Sequence, residues 1–147
     1  IGCNAGFLSI LVAETAQHAL ALDIYPYLVE IGKEVACHFD RRNVDFLNSS
    51  FEGFQPGRDF EVVMSSANHS TFDQNTQHDL EAYFRRCRKM LCEGGLFLFE
   101  SHAPDFEGDK LNMVIAEIEK HFSICEDTTL EYGSFMDTGR RYVVAET

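Results

Sequence analysis

Two glycines four positions apart open the chain, in Ile1-Gly2-Cys3-Asn4-Ala5-Gly6, and an acid, Asp23, follows after one helix-length run and one short apolar run. A glycine turn leading into a helix lets the backbone approach a ligand closely and presents helix N-terminal amides. A carboxylate at the exposed end of the next strand can accept hydrogen bonds from both hydroxyls of a ribose. The spacing Gly-x-x-x-Gly is not the Gly-x-Gly-x-x-Gly of dinucleotide binders. A second group of reactive side chains comes later: His69 and Asp73 in "NHSTFD", Glu100 and His102 in "FESHAP". An imidazole or carboxylate there can take a proton from a hydroxyl as that hydroxyl attacks an electrophile. Each residue also has a plainer reading, as a turn glycine, a helix-capping acid or a loop histidine bonded to the backbone. The conjunction of turn, helix, strand and acid, in that order, favours a ligand.

Such residues need a scaffold, and the hydrophobic pattern supplies one. "FLSILVAETA" is a helix-length apolar stretch and "HALALDI" a short buried strand. "YPYLVEIGKEVACHF" places Leu28, Ile31 and Val35 at the spacing of one helix face. "VDFLNSS" and "FEVVMSSA" read as strands, and "TQHDLEAYFRRCRKML" as a helix with Leu80, Phe84, Cys87 and Leu91 on its apolar side. That helix is expected to stop at "EGG", with Gly94 or Gly95 in a left-handed cap. "LFLFE" reads as a covered strand. "KLNMVIAEIEKHF" reads as a helix burying Leu111, Val114, Ile115, Ile118 and Phe122. "SICEDTTLEYG" and "RRYVVAE" read as an antiparallel pair joined through the turn signal "DTG". Strands alternating with helices predict an α/β domain over residues 1–147: a Rossmann-like, mostly parallel sheet with helices on both faces and an antiparallel terminal hairpin.

The bulk properties narrow the partners. The chain has 147 residues, 45% hydrophobic, enough for a real core. Its formal net charge of -12 disfavours binding to a phosphate backbone, and "FRRCRK" reads as a solvated helix face. No run approaches the ~18 apolar residues of a membrane span. The five cysteines are scattered and never form Cys-x-x-Cys, which points to reduced thiols in the cytoplasm rather than disulfides or a zinc site. No metal site is predicted.

The residues "IGCNAG" followed by "ALDIYP" resemble the cofactor-binding region of class I S-adenosylmethionine-dependent methyltransferases. The likeness extends through "FEVVMSSANHSTFD" to "FRRCRKMLCEGGLFLFE" and the terminal hairpin. The resemblance implies S-adenosylmethionine as cofactor. It implies that Gly2, Cys3, Asn4, Ala5 and Gly6 form the loop under the methionine part and the sulfonium. Asp23 would bind the ribose and Ile24 would lie against the adenine. Ser50 and Phe51 stand where family members often have an acid contacting the adenine amine. Ser66, Ala67 and Asn68 would line the pocket near the cofactor's amino-acid end. Asn4 replaces the commoner glycine, and asparagine tolerates the left-handed conformation. The family also places a strand, usually ending in an acid, before the glycine loop. The resemblance therefore implies a segment upstream of Ile1, without which residues 1–147 are expected to be poorly ordered.

Methyl transfer from a sulfonium needs alignment above all, and a base only where the nucleophile must lose a proton. His69 is the first candidate for that base, since the resemblance sets its loop over the methyl. The Asn-Pro-Pro-aromatic segment of methyltransferases acting on amide or adenine nitrogens is absent, with "SANH" in its place. Elimination leaves a small-molecule acceptor, methylated at oxygen or nitrogen. Two other classes stay open: an NAD-dependent Rossmann oxidoreductase, and a non-catalytic methyltransferase-like binding domain. Wrong glycine spacing and the lack of a Tyr-x-x-x-Lys pair count against the first, since Cys87 stands four places after Tyr83.

Overall fold

Three residues of the opening turn lie in the left-handed region: Gly2, Asn4 and Gly6, with φ of 63°, 51° and 80°. They belong to a computed structural model that describes residues 1–57, 59–69, 76–103, 108–131 and 139–147. The chain forms two compact units, residues 1–54 and 55–147. In the first, the turn leads into α1 (Phe7–Val12), β1 (Ala19–Asp23), α2 (Pro26–His38) and β2 (Val44–Asn48). Helix α1 is shorter than the apolar run suggested. It closes in turns after Val12, and the Asn43 side-chain amide donates to the carbonyls of Ala13 (2.8 Å) and Ala16 (2.9 Å). Those two bonds satisfy carbonyls that a helix end leaves open.

Strands β1 and β2 pair in parallel, with Ala19 opposite Val44 and Asp23 opposite Asn48. Helix α2 buries Val29, Gly32 and Ala36, one position on from the stripe read in the sequence, and Ile31 is 44% exposed. The cause is Phe46 of β2: a Cβ on Gly32 would lie 2.5 Å from its ring. The helix face that carries the glycine is the one that can seat that ring. Ile10, Ala13, Ala36 and Val44 form the small core here, with Phe46 packed against it.

The second unit contains β3 (Phe60–Ser66), α3 (Leu80–Lys89), β4 (Leu91–Glu100), α4 (Leu111–Glu119), β5 (Ser123–Leu130) and β6 (Arg140–Glu146). Its strand order is β3-β4-β6-β5. β3 and β4 are parallel, while β6 is antiparallel to both β4 and β5. The α/β class, the parallel crossover pairs and the antiparallel terminal hairpin agree with the sequence reading. The "DTG" turn signal falls largely outside the described residues. Asp79 caps α3 by accepting the Ala82 N–H at 2.8 Å.

The glycine pair does not end α3. The helix stops at Lys89, Met90 is its cap, and the pair lies inside β4, where Gly94 has φ 70°. The pairing register with β3 shifts between Phe60 and Val62, opposite this stretch. The left-handed glycine therefore serves a strand irregularity, as glycines in bulges do. The core of this unit is aromatic: Phe97 and Phe122 stack at 4.8 Å, and Phe84 meets Phe97 and Phe99 edge-on at 5.8 and 6.0 Å. Val114, Ile115, Ile118 and Phe122 are buried as the helical period predicts. All five cysteines are free. Among the described residues no helix is long and apolar enough to cross a membrane.

Candidate functional site

In the first unit the glycine loop is held by its own amides. The Cys3 N–H donates to the Leu22 carbonyl (2.9 Å) and the Gly6 N–H to the Cys3 carbonyl (2.9 Å). The Asn4 N–H donates to Asp23 Oδ2 (2.8 Å), and the Ala5 N–H to Asn4 Oδ1 (2.6 Å). Asp23 Oδ1 accepts the Tyr25 N–H at 3.0 Å. The sequence reading put Asp23 at an exposed strand end, but the structure buries it to 6% exposure between the loop and the start of α2. It closes a local turn ahead of α2 and tethers the loop. A carboxylate has about four lone-pair sites, so each oxygen retains room for one hydroxyl donor.

The loop's charge preference follows. The amides from Cys3 to Gly6 are bonded within the chain, so this segment does not offer the row of donors that cradles a pyrophosphate. It offers a buried carboxylate and carbonyl oxygens, which suit a ribose and a cationic group. The Cys3 thiol is pushed up to about 11, by burial first and then by the Asp23 charge. It stays a neutral thiol at physiological pH and is no nucleophile there.

Asn48, which the sequence reading passed over, donates from Nδ2 to the carbonyls of Asp23 and Ile24, both at 3.0 Å. Its position opposite Asp23 in the parallel register is what makes this possible. Ile24 is half-buried beside it. Ser50 is exposed, and its Oγ accepts the Gly53 N–H at 3.0 Å, closing a turn. Phe51 is 1% exposed and belongs to the core.

The second unit gathers its polar side chains where β3 and β4 end. Ser66 lies opposite Glu100 in the register, and its hydroxyl donates to Glu100 Oε2. Arg140 of β6 reaches Glu100 Oε1 at 3.4 Å. The next residue, Ala67, has φ 46°, a conformation costly for alanine, and donates its N–H to the Glu100 carbonyl at 2.9 Å. That sharp turn sends Asn68 and His69 inward, each to 2% exposure. Asn68 Nδ2 faces the Tyr83 hydroxyl at 3.5 Å, and that hydroxyl bonds Ser65 at 2.8 Å. The His69 ring lies 4.9 Å from Phe99 and 5.0 Å from the ring of His102.

Ser66, Ala67, Asn68, His69, Glu100 and His102 are thus brought together in one unit, and Gly2 to Gly6, Asp23 and Ile24 in the other. Asp73 lies outside the described residues. Tyr83 and Arg140 had no signal in the sequence as site residues. Tyr83 lies in the run read as a helix but outside the apolar side assigned to it, and Arg140 is forty positions from the carboxylate it meets. Among the described residues no group of three or more His, Cys, Asp or Glu could hold a metal ion.

Comparison with known proteins gives these arrangements a context. A family model described as "Methyltransferase domain" matches residues 1–95. The N-methyltransferase NodS from Bradyrhizobium japonicum WM9, solved in complex with S-adenosyl-L-homocysteine, superposes with a TM-score of 0.80 at 15% identity. That match covers 99% of this chain and 74% of NodS. An S-adenosylmethionine-dependent methyltransferase from Clostridium acetobutylicum ATCC 824 gives 0.75 at 13% identity, covering 99% of this chain and 81% of that one. Coclaurine N-methyltransferase, bound to N-methylheliamine and SAH, gives 0.74 at 10% identity, covering 99% and 66%. Among curated proteins none matches this chain. With the family model spanning well over half of its length, the chain belongs to the methyltransferase-domain family and is a class I S-adenosylmethionine-dependent methyltransferase.

Proposed function

We propose that this enzyme methylates a small molecule at oxygen or nitrogen in the cytoplasm, with Gly2, Cys3, Asn4, Ala5, Gly6 and Asp23 forming the core of its cofactor site. The observation that carries the site assignment is the loop's polarity. Its amides are satisfied internally while a buried carboxylate stays able to accept two more donors. When bound, S-adenosylmethionine supplies a methyl group already activated by its sulfonium. Asp23 accepts the ribose hydroxyls, and Asn48 fixes the backbone that carries Asp23 and Ile24. Ile24, Ser50 and Phe51 serve the adenine side, Phe51 from within the core. Ser66, Ala67 and Asn68 serve the amino-acid end. His69 takes the proton from a hydroxyl acceptor.

A small-molecule acceptor is supported by analogy with coclaurine N-methyltransferase and by the net charge of -12, which repels polyanions. Calorimetric titration of S-adenosylhomocysteine against NAD tests the cofactor assignment. Binding of NAD alone would overturn it. Incubation with methyl-tritiated S-adenosylmethionine and a panel of phenols, alcohols and amines tests the acceptor class. Label transferred only to protein or nucleic acid would refute the small-molecule assignment.

A further inference from the structure

Buried polar atoms in folded proteins nearly always have a hydrogen-bond partner, and one without is matched by a water or by a ligand. Asn68 is 2% exposed, and its side-chain oxygen Oδ1 meets no donor among the described residues. The other end of the amide is loosely held: Nδ2 stands 3.5 Å from the Tyr83 hydroxyl, at the limit for a hydrogen bond. That hydroxyl shares a closer bond with Ser65 Oγ, at 2.8 Å. The residue before, Ala67, has φ 46°, costly for a residue with a Cβ, and its N–H is fixed to the Glu100 carbonyl at 2.9 Å. Strained backbone of this kind clusters at ligand sites. Strain and an unmet buried oxygen thus lie one residue apart at the carboxyl end of β3, and in parallel sheets ligands bind at such ends. The groups joined to the amide set the kind of donor it can take. Tyr83 is fully buried and Ser65 is nearly so. The Cys87 thiol, hydrogen-bonded to Tyr83, is pushed well up by its burial and stays neutral. An ammonium brought here would set three donors against one neutral oxygen, at a heavy desolvation cost. An uncharged O–H or N–H needs only one acceptor.

We propose that Asn68 Oδ1 accepts a hydrogen bond from an uncharged O–H or N–H of the methyl acceptor, and so selects acceptors that carry such a donor. An amide oxygen is too weak a base to take a proton away. The donor is therefore a second polar group of the acceptor, distinct from the one that is methylated. This rests on the reading of the β3 end as part of the active site. There the main chain of Asn68 serves the amino-acid end of the cofactor, and its side-chain oxygen is left for the acceptor.

Leucine has nearly the shape of asparagine and no polar atom. Asn68→Leu, with Asn68→Met as a second variant, removes the unmet oxygen, so the ligand-free protein should melt no lower than the parent. Both variants melting well below the parent would make the amide a structural bond and overturn the proposal with no acceptor in hand. Kinetics then uses matched pairs from the panel: a phenol or alcohol with a second O–H or N–H, and the same compound with that group replaced by methoxy or hydrogen. The parent should prefer the donor-bearing member by about 10- to 100-fold in kcat/KM, and the variant should lose that preference. Equal kcat/KM of the parent on both members would overturn the proposal. So would equal kcat/KM of parent and variant on the donor-bearing member, which would assign the oxygen to a resident water. Calorimetry with S-adenosylhomocysteine separates the cofactor, since its affinity should fall far less than kcat/KM. A loss as large as that in kcat/KM would give the oxygen to the cofactor, overturning the proposal while the reading of the site stands.

Discussion

Asp23 and Glu100 both end a parallel strand, yet the two units hold them by different means. Asp23 accepts from two backbone amides, those of Asn4 and Tyr25, and is almost fully buried. Glu100 accepts from two side chains, Ser66 and Arg140, and its own side chain is 21% exposed. Main-chain donors are present whatever the side chains are, so the Asp23 arrangement depends on few identities. The Glu100 arrangement needs three particular residues from three strands, so removing one alters the others. The loop end is held largely through main-chain donors, which suits the cofactor site proposed for it. The strand-end cluster is built from replaceable side chains, and acceptor choice is expected to live there.

The largest expected effect lies in the second unit. His69→Ala should lower turnover about 10²–10⁴-fold with a hydroxyl acceptor, while S-adenosylhomocysteine binding measured by calorimetry stays near its original value. Equal losses in rate and in cofactor affinity would mean that the two units do not divide the work as described.

In the first unit Gly6→Ala should be nearly as severe, but through the fold. A Cβ there would lie 2.3 Å from the Phe46 ring, at φ 80°. The left-handed backbone costs roughly 1–2 kcal/mol and the overpacking about 1–3 kcal/mol. A thermal melt should show the loss, and adding Phe46→Leu should recover the packing share alone. No recovery in the double variant would place the whole cost in the backbone.

Asp23→Ala should weaken S-adenosylhomocysteine binding about 10- to 100-fold, matching a loss of roughly 1.5–3 kcal/mol in charged hydrogen bonds. Because the group is buried and tethers the loop, the melting temperature should fall as well. Glu100→Gln should weaken cofactor binding far less, and only through its bond to Ser66. If Glu100→Gln weakened binding as much as Asp23→Ala, the contrast between the two acids would collapse.

The smallest effect concerns the strand pair beside His102. Arg141 grips Asp127 with Nε and Nη2, both at 2.6 Å, and this hydrogen-bonded fork lowers the Asp127 pKa. A depressed folded pKa gives stability that is present above the unfolded value of about 4 and lost as pH falls through the folded value. Such a pair is worth up to ~1 kcal/mol near a surface. Asp127→Asn should therefore melt slightly below the parent at pH 6, and the gap should close toward pH 3. A gap independent of pH would assign the loss to packing rather than charge.

The sequence by itself determined the parts whose causes are local. The left-handed glycine turn, the tolerance of Asn4 for φ 51°, the alternation of strand and helix, and the buried side of α4 all follow from neighbours within a turn or two. Tertiary structure decided what depends on partners far along the chain. Phe46 chose the face that α2 buries, because only Gly32 leaves room for its ring. Strand register put Asn48 beside Asp23, and Arg140 of β6 beside Glu100. The glycine pair read as a helix stop became a strand irregularity, because pairing with β3 begins at Leu91. Periodicity reports which side of an element is apolar; only packing across elements decides which polar side chains meet, because their hydrogen-bond partners lie tens of residues away in sequence.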